Sequence, residues 1–279
     1  MSFIAIIGAG PAGGAIAHKI AARDRVREIR LIDDERGVAE GKALDILQSA
    51  PIEGFSTLVK GDSSIAAAAG ASAIVLADQA RDSAEYSGEQ GLALLRQLSR
   101  FEVRAPIVFA GATQLELLNR AATELRIDPA RLVGSAPLAL ESALRALAAL
   151  VLDSSGVEVS LRLLGIPPDA VVVAWEESSA FGQPLSTRMA AHEIAALSAR
   201  IPRLWPPGPY ALASAAARIA EAIAEGSRRR YSCFVSLGRG QAAAMPAELG
   251  EDGVLRIIEP ALTRQERTLL DNALERIRR

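Results

Sequence analysis

The residues with the clearest chemistry stand near the start of the chain. Gly8-Ala9-Gly10-Pro11-Ala12-Gly13 is a G-x-G-x-x-G run that follows the apolar segment Phe3–Ile7, and Ala15 to Ala22 continues it as an apolar helical stretch. Gly8 permits a tight turn out of a strand, Gly10 leaves no side chain where backbone must approach a pyrophosphate, and Gly13 lets a helix pack closely on a sheet. Pro11 suits the first helical position, where a missing N–H costs nothing. The N–H of Ala12 then points at a ligand from the positive end of a helix. A second apolar run, Glu28 to Ile32, ends in Asp33, 20 residues beyond Gly13. A carboxylate there accepts the hydroxyls of an adenosine ribose and repels a 2′-phosphate, and Asp34 adds a second negative charge. The expected ligand is therefore a dinucleotide, NAD rather than NADP, held by Gly8, Gly10, Pro11, Ala12, Gly13 and Asp33. The alternative is that the same strand, turn and helix serve only as structure.

These residues need a sheet to position them. Phe3–Ile7, Glu28–Ile32, Ala73–Ala77 and Pro106–Ala110 read as strands, with Thr57–Gly61 and Leu132–Gly134 as shorter ones. Gly14–Ala22, Gly41–Gln48, Glu89–Arg100 and Gln114–Arg126 read as helices. That alternation predicts an α/β, Rossmann-type domain over residues 1–133, with a parallel sheet and right-handed crossovers. Residues 134–279 change character and predict an α+β domain. A long helix (Pro137–Leu152) leads to strand-like runs at Val157–Leu164 and Ala170–Glu176, and helical stretches follow at Thr187–Arg200 and Tyr210–Glu225. Strand-like runs at Tyr231–Leu237 and Gly253–Ile258 precede a closing amphipathic helix, Thr263–Arg279. The proline-rich stretch from Ile201 to Pro209 cannot be helical throughout.

Bulk properties narrow the partners. The 279 residues carry a net charge of −2, and half of them are hydrophobic but only 4% aromatic, so no global field draws the chain to nucleic acid or a membrane surface. The basic runs Arg228-Arg229-Arg230 and Arg276-Ile277-Arg278-Arg279 read as solvated helix ends. Cys233, the single cysteine, cannot form an internal disulfide and lies in an apolar segment that suits a buried structural thiol. One cysteine and no signal peptide point to a cytoplasmic setting. The greasy helix from Ala136 to Leu152 carries Glu141 and Arg145, which makes it a core helix and not a membrane span. No metal site is expected.

Beyond the glycine run, Leu31 to Ile46 carries Gly37 and then Gly41-Lys42-Ala43-Leu44-Asp45, and Gln48 to Phe55 continues the pattern. On these residues, on Tyr210–Ile223, on Gly253–Glu259 and on the final helix, the chain resembles the malate/lactate dehydrogenase family. The resemblance implies hydride transfer between NAD and a 2-hydroxy or 2-keto acid. A His takes the hydroxyl proton, a carboxylate orients that His, one Arg grips the substrate carboxylate, and a second Arg closes over it on a mobile loop.

Placed on this sequence, the family's chemical groups are largely missing. Pro167, in Leu164-Gly165-Ile166-Pro167-Pro168-Asp169, takes the histidine slot, and Leu144 takes that of the gripping arginine, although Glu141 keeps a carboxylate. Arg145 is adjacent, but one residue is about 100° around a helix. In the loop slot, Ala77 to Gly88, the arginine positions hold Asp82 and Gly88, with Arg81 one place away. Asp78 falls where a small residue approaches the cofactor, and its carboxylate disfavours a pyrophosphate there. Ala112 replaces an asparagine near the nicotinamide ribose, and the two histidines, His18 and His192, read as ordinary helix residues. No residue is assigned a catalytic role.

The expectation is an NAD(H)-binding malate/lactate dehydrogenase-like protein without efficient 2-hydroxy acid dehydrogenase activity. It would be a structural or regulatory homologue and a homo-oligomer (dimer or tetramer), since the family uses the Gly41–Phe55 segment at a subunit contact. One alternative is a working NAD-dependent oxidoreductase with another acid–base set drawn from Asp169, Glu141, Asp78, Arg81 and Tyr86. Another is an interaction module without a ligand.

Overall fold

Phe3-Ile4-Ala5-Ile6-Ile7 is apolar on both of its faces, and such a strand requires cover above and below, which a parallel sheet flanked by helices supplies. The computed structural model describes residues 2–101, 103–238 and 240–278. In it this segment is β1 (Phe3–Ile7), buried throughout. β1 pairs in parallel with β2 (Glu28–Ile32), which pairs with β3 (Leu58–Asp62). On the other side β1 pairs with β4 (Ala73–Leu76), followed by β5 (Ile107–Phe109) and β6 (Leu132–Gly134), all parallel. The chain leaves β1 toward β2 and returns to β4 on the opposite side, so a switch point lies at the carboxyl ends of β1 and β4. The helices α1 (Pro11–Arg23), α2 (Arg36–Glu53), α3 (Gly88–Arg100) and α4 (Leu115–Thr123) connect these strands.

The second half extends the same sheet. After α5 (Ala136–Val151), the chain forms β7 (Val159–Ser160), β8 (Leu163–Ile166), β9 (Ala170–Val173), β10 (Ser179–Ala180) and β11 (Gln183–Pro184). The helices α6 (Leu185–Arg188), α7 (Ala191–Arg200) and α8 (Pro209–Ala224) follow, then β12 (Arg230–Ser236), β13 (Ala242–Gly250), β14 (Gly253–Ile257) and α9 (Arg264–Arg278). β12 joins β6 antiparallel through Phe234 opposite Gly134, and β13, β8 and β9 continue outward to complete an 11-stranded sheet with β14 paired to β13. β7, β10 and β11 form a separate small sheet.

Several elements depart from the sequence expectation. The Val157–Leu164 run breaks into β7 and β8, and Thr187–Arg200 splits into α6 and α7. α2 begins five residues before Gly41 and passes through Pro51 to Gly54, whose φ of 81° ends it. β13 forms from a segment with little strand propensity: Ala242-Ala243-Ala244-Met245-Pro246-Ala247-Glu248-Leu249-Gly250 is poor in strand formers, yet all nine residues are buried between partner strands. Packing overrides propensity there. Cys233 is fully buried on β12, where desolvation pushes its thiol pKa far above the ordinary range. Arg228 pairs with the buried Glu248 at 3.1 Å, so the first basic run is partly tied down rather than merely solvated. Arg279, the last of the terminal basic run, lies outside the described residues. Among the described residues no helix is long and apolar enough to cross a membrane.

Phe234 locks the two halves. It is 2% exposed, its ring meets Trp205 edge-on at 6.2 Å, and a Cβ on Gly134 would lie only 2.8 Å from its side chain. Phe234→Ala is expected to cost about 3–5 kcal/mol in denaturant unfolding, the range for deleting a buried aromatic ring. A loss below about 1 kcal/mol would mean that the seam holds without it.

Candidate nucleotide-binding site

The glycine run forms the turn from β1 into α1. Gly8 has a φ of +104° and donates its N–H to Ile32 O at 2.8 Å, and a Cβ on Gly13 would fall 1.9 Å from Gly8 O. Pro11 opens α1 and leaves the amides of Ala12 and Gly13 at its N-terminus. These groups stand at the carboxyl ends of β1 and β4, beside Asp33 at the end of β2. The structure therefore brings Gly8, Gly10, Pro11, Ala12, Gly13 and Asp33 together.

The destination of the amides is the central feature of the site. Ala12 N–H donates to Asp78 Oδ2 at 3.0 Å and Gly13 N–H to Asp78 Oδ1 at 2.8 Å. Gly10 N–H donates to the backbone oxygen of the same residue at 2.9 Å. Asp78 lies two residues beyond the end of β4 and is 6% exposed. The space that Gly10 leaves is filled: a Cβ there would lie 2.4 Å from Asp78 Cγ. Asp33 is engaged as well. Its Oδ2 accepts from the amides of Ala9 (2.8 Å) and Ala80 (2.9 Å), and its Oδ1 from that of Glu35 (3.0 Å). The crevice thus has the donors, the glycines and the helix end that a dinucleotide pyrophosphate requires, and Asp78 holds those donors itself.

A cavity of about 160 Å³ adjoins this cradle, lined by Asp33, Asp34, Tyr86 and Gln90 together with apolar groups including Ile7 and Ile65. Burial raises the pKa of the Tyr86 hydroxyl, and the nearby Asp33, Asp34 and Asp78 act in the same direction.

A second carboxylate caps the neighbouring strand end. Glu85 accepts from the amides of Ala112 (3.0 Å) and Thr113 (2.9 Å) and from the Thr113 hydroxyl (2.5 Å). Gly111 makes room for it, since a Cβ there would sit 2.1 Å from Glu85 Cδ. Asp78 and Glu85 face each other in an antiparallel bridge, tightened by Gln79 N–H to Ala84 O at 2.9 Å. Nothing in the sequence marks Glu85, which reads as one more charge in a polar loop. Arg81 does not enter the crevice: its side chain is 79% exposed and its guanidinium pairs with Glu35 at 2.9 Å.

The other singled-out residues lie apart from this cradle. Glu141 is buried on α5, accepts from the Ser232 hydroxyl at 2.5 Å and has Arg162 at 3.4 Å. Leu144 is fully buried against the core that includes Val159, Leu161 and Leu163. Arg145 turns away to donate to Gly156 O at 3.1 Å. Pro167 lies in the turn between β8 and β9, and Asp169 is exposed in the same turn. His18 is half-buried on α1 and His192 exposed on α7. Among the described residues no group of three or more His, Cys, Asp or Glu is placed to hold a metal ion.

No protein-family profile matches the chain. It is similar to the malate dehydrogenase of Chlorobium phaeovibrioides, with 29% identity over 280 residues, 92% of this chain and 90% of that protein. It is 28% identical to the malate dehydrogenase of Thermomicrobium roseum over 297 residues, 99% of this chain and 96% of that protein. Among solved structures it matches the lactate dehydrogenase of Cryptosporidium parvum, complexed with lactic acid and nicotinamide adenine dinucleotide. The TM-score is 0.87 at 21% identity, covering 99% of this chain and 96% of that one. The apo malate dehydrogenase of Picrophilus torridus gives a TM-score of 0.85 at 23% identity, with 99% and 95% covered. The fold is that of the malate and lactate dehydrogenases, with its parallel Rossmann-type sheet.

Burial raises the pKa of Glu141, and Arg162 and Ser232 only partly oppose it. The folded state therefore binds this proton more tightly than the unfolded state. The associated stability is present below the ordinary carboxylate range and is lost as pH rises through the folded value. Glu141→Gln, which mimics the protonated form, is expected to gain stability relative to the parent as pH rises above the ordinary carboxylate range in urea titrations. A difference independent of pH would contradict the raised value.

Proposed function

We propose that this chain is an NAD(H)-binding member of the malate/lactate dehydrogenase family without efficient 2-hydroxy acid dehydrogenase activity, acting as a structural or regulatory homologue. Residues 1–133 would form the nucleotide-binding part and residues 134–279 the part corresponding to the catalytic domain. The observation that carries this reading is the fate of the substrate-side groups. Leu144, in the slot of the substrate-gripping arginine, is sealed in the core. Glu141, in the slot of the orienting carboxylate, is committed to Ser232 and Arg162. Pro167 has no proton to transfer. Losing a general base typically costs about 10² to 10⁴ in rate, and losing the carboxylate clamp removes substrate positioning as well. The glycine run, Asp33 and the nucleotide in the similar lactate dehydrogenase structure support NAD as the cofactor. When bound, that group supplies hydride chemistry, and Gly8 to Gly13 would hold its pyrophosphate.

Titration with NADH, followed by fluorescence and melting temperature, tests the binding half of this reading. Assays with oxaloacetate and pyruvate test the other half, and turnover at background is expected. Steady turnover of either keto acid would favour the active oxidoreductase instead.

We also propose that the chain is a cytoplasmic homo-oligomer. Leu44 and Ile52 are 56% and 88% exposed on α2, and a second copy would cover them. Ile52→Glu is expected to shift the protein toward the monomer in light scattering, and an unchanged mass would remove α2 from the contact.

A further inference from the structure

We propose that residues 78–85 form an internal strap whose Asp78 carboxylate stands in for a pyrophosphate, so that the crevice admits a phosphate-bearing ligand only when the strap lifts. This rests on reading the crevice as a nucleotide site. Amides at a helix N-terminus, reinforced by the helix dipole, favour an anion. Here a carboxylate supplies it, with one oxygen on Ala12 N–H and the other on Gly13 N–H, while the Asp78 backbone oxygen takes Gly10 N–H. The remaining amides of the turn are also committed, Gly8 to Ile32 O and Ala9 to Asp33. A phosphate therefore finds these amides of the turn already taken, and it cannot share the position with a carboxylate of like charge.

The strap is anchored at both ends. Glu85 holds the far end on the amides of Ala112 and Thr113, and the bridge to Asp78 ties one anchor to the other. Between them, Asp82 accepts from Ala84 N–H at 2.9 Å, and Arg81 reaches across to Glu35 at the solvent surface. The buried Asp78 and the half-buried Glu85 close the crevice, whereas the exposed Arg81–Glu35 pair contributes little. Apparent affinity is then the intrinsic affinity multiplied by the fraction of molecules with the strap open.

Removing either anchor should raise that fraction. The experiment is isothermal titration of the parent, Asp78→Ala and Glu85→Gln with inorganic pyrophosphate, ADP and NADH at fixed ionic strength, alongside thermal melts. Asp78→Ala leaves two amides without their acceptor, so it should melt lower than the parent alone and recover in pyrophosphate. It should bind pyrophosphate and ADP about tenfold or more tighter than the parent. Glu85→Gln leaves the cradle itself intact and should gain affinity for ADP through the open fraction. It carries the test should Asp78→Ala fail to fold. A gain for pyrophosphate and ADP but none for NADH keeps the strap and removes NAD as the cofactor. Equal NADH binding by the parent and both variants, with no gain for the smaller probes, overturns the strap and leaves the cofactor reading standing. No gain with any probe in either variant also overturns the strap.

Discussion

The contact between the Asp78 carboxylate and the first amides of α1 is the constraint on which the rest of the site depends. Helix N-termini carry unpaired donors, and donors buried at a sheet edge must find an acceptor or cost the fold free energy. A ligand supplies that acceptor in many nucleotide-binding proteins. Here the chain supplies it, three amides of the turn converging on one residue at the end of the neighbouring strand. The exchange fixes the path of the following segment across the crevice and aligns Asp33 with the amides of Ala9 and Ala80.

α1 is held at its other end by the opposite charge. Arg23, in the last turn, donates to both oxygens of the buried Glu221 on α8 at 3.0 and 3.1 Å. Negative charge at the N-terminus and positive charge at the C-terminus both complement the helix dipole. The second pair also joins the first half of the chain to a helix of the second half. Burial raises the pKa of Glu221, and Arg23 counters that shift. The Glu141–Ser232–Arg162 group works similarly between α5, β12 and the approach to β8, with Ser232 accepting from Leu163 N–H while donating to Glu141. Removing one partner of such a group is more damaging than its net contribution suggests, because it strands a buried charge.

The continuous sheet explains why the two halves are hard to separate physically. β6 is parallel to β5 but antiparallel to β12, and the change of direction occurs at Gly134, where Phe234 fills the space a side chain would need. The composition changes near this point, whereas the hydrogen-bonded sheet runs through it.

The sequence by itself determined the parallel half of the fold. Apolar runs such as Phe3–Ile7 and Glu28–Ile32, and the turn chemistry of Gly8 and Gly13, are local signals that tertiary context reinforces. It also marked Asp78 as out of place for a bound pyrophosphate. Only the tertiary structure decided that Asp78 fills the cradle, since nothing local ties a residue after β4 to amides 66 and 65 positions earlier. The same holds for Glu85 on Ala112 and Thr113, and for β13, whose alanines become a strand because partners flank them. Leu144 and Glu141 could be placed on one helix from the sequence. Their burial and partners follow from packing against β7, β8 and β12, which periodicity does not encode.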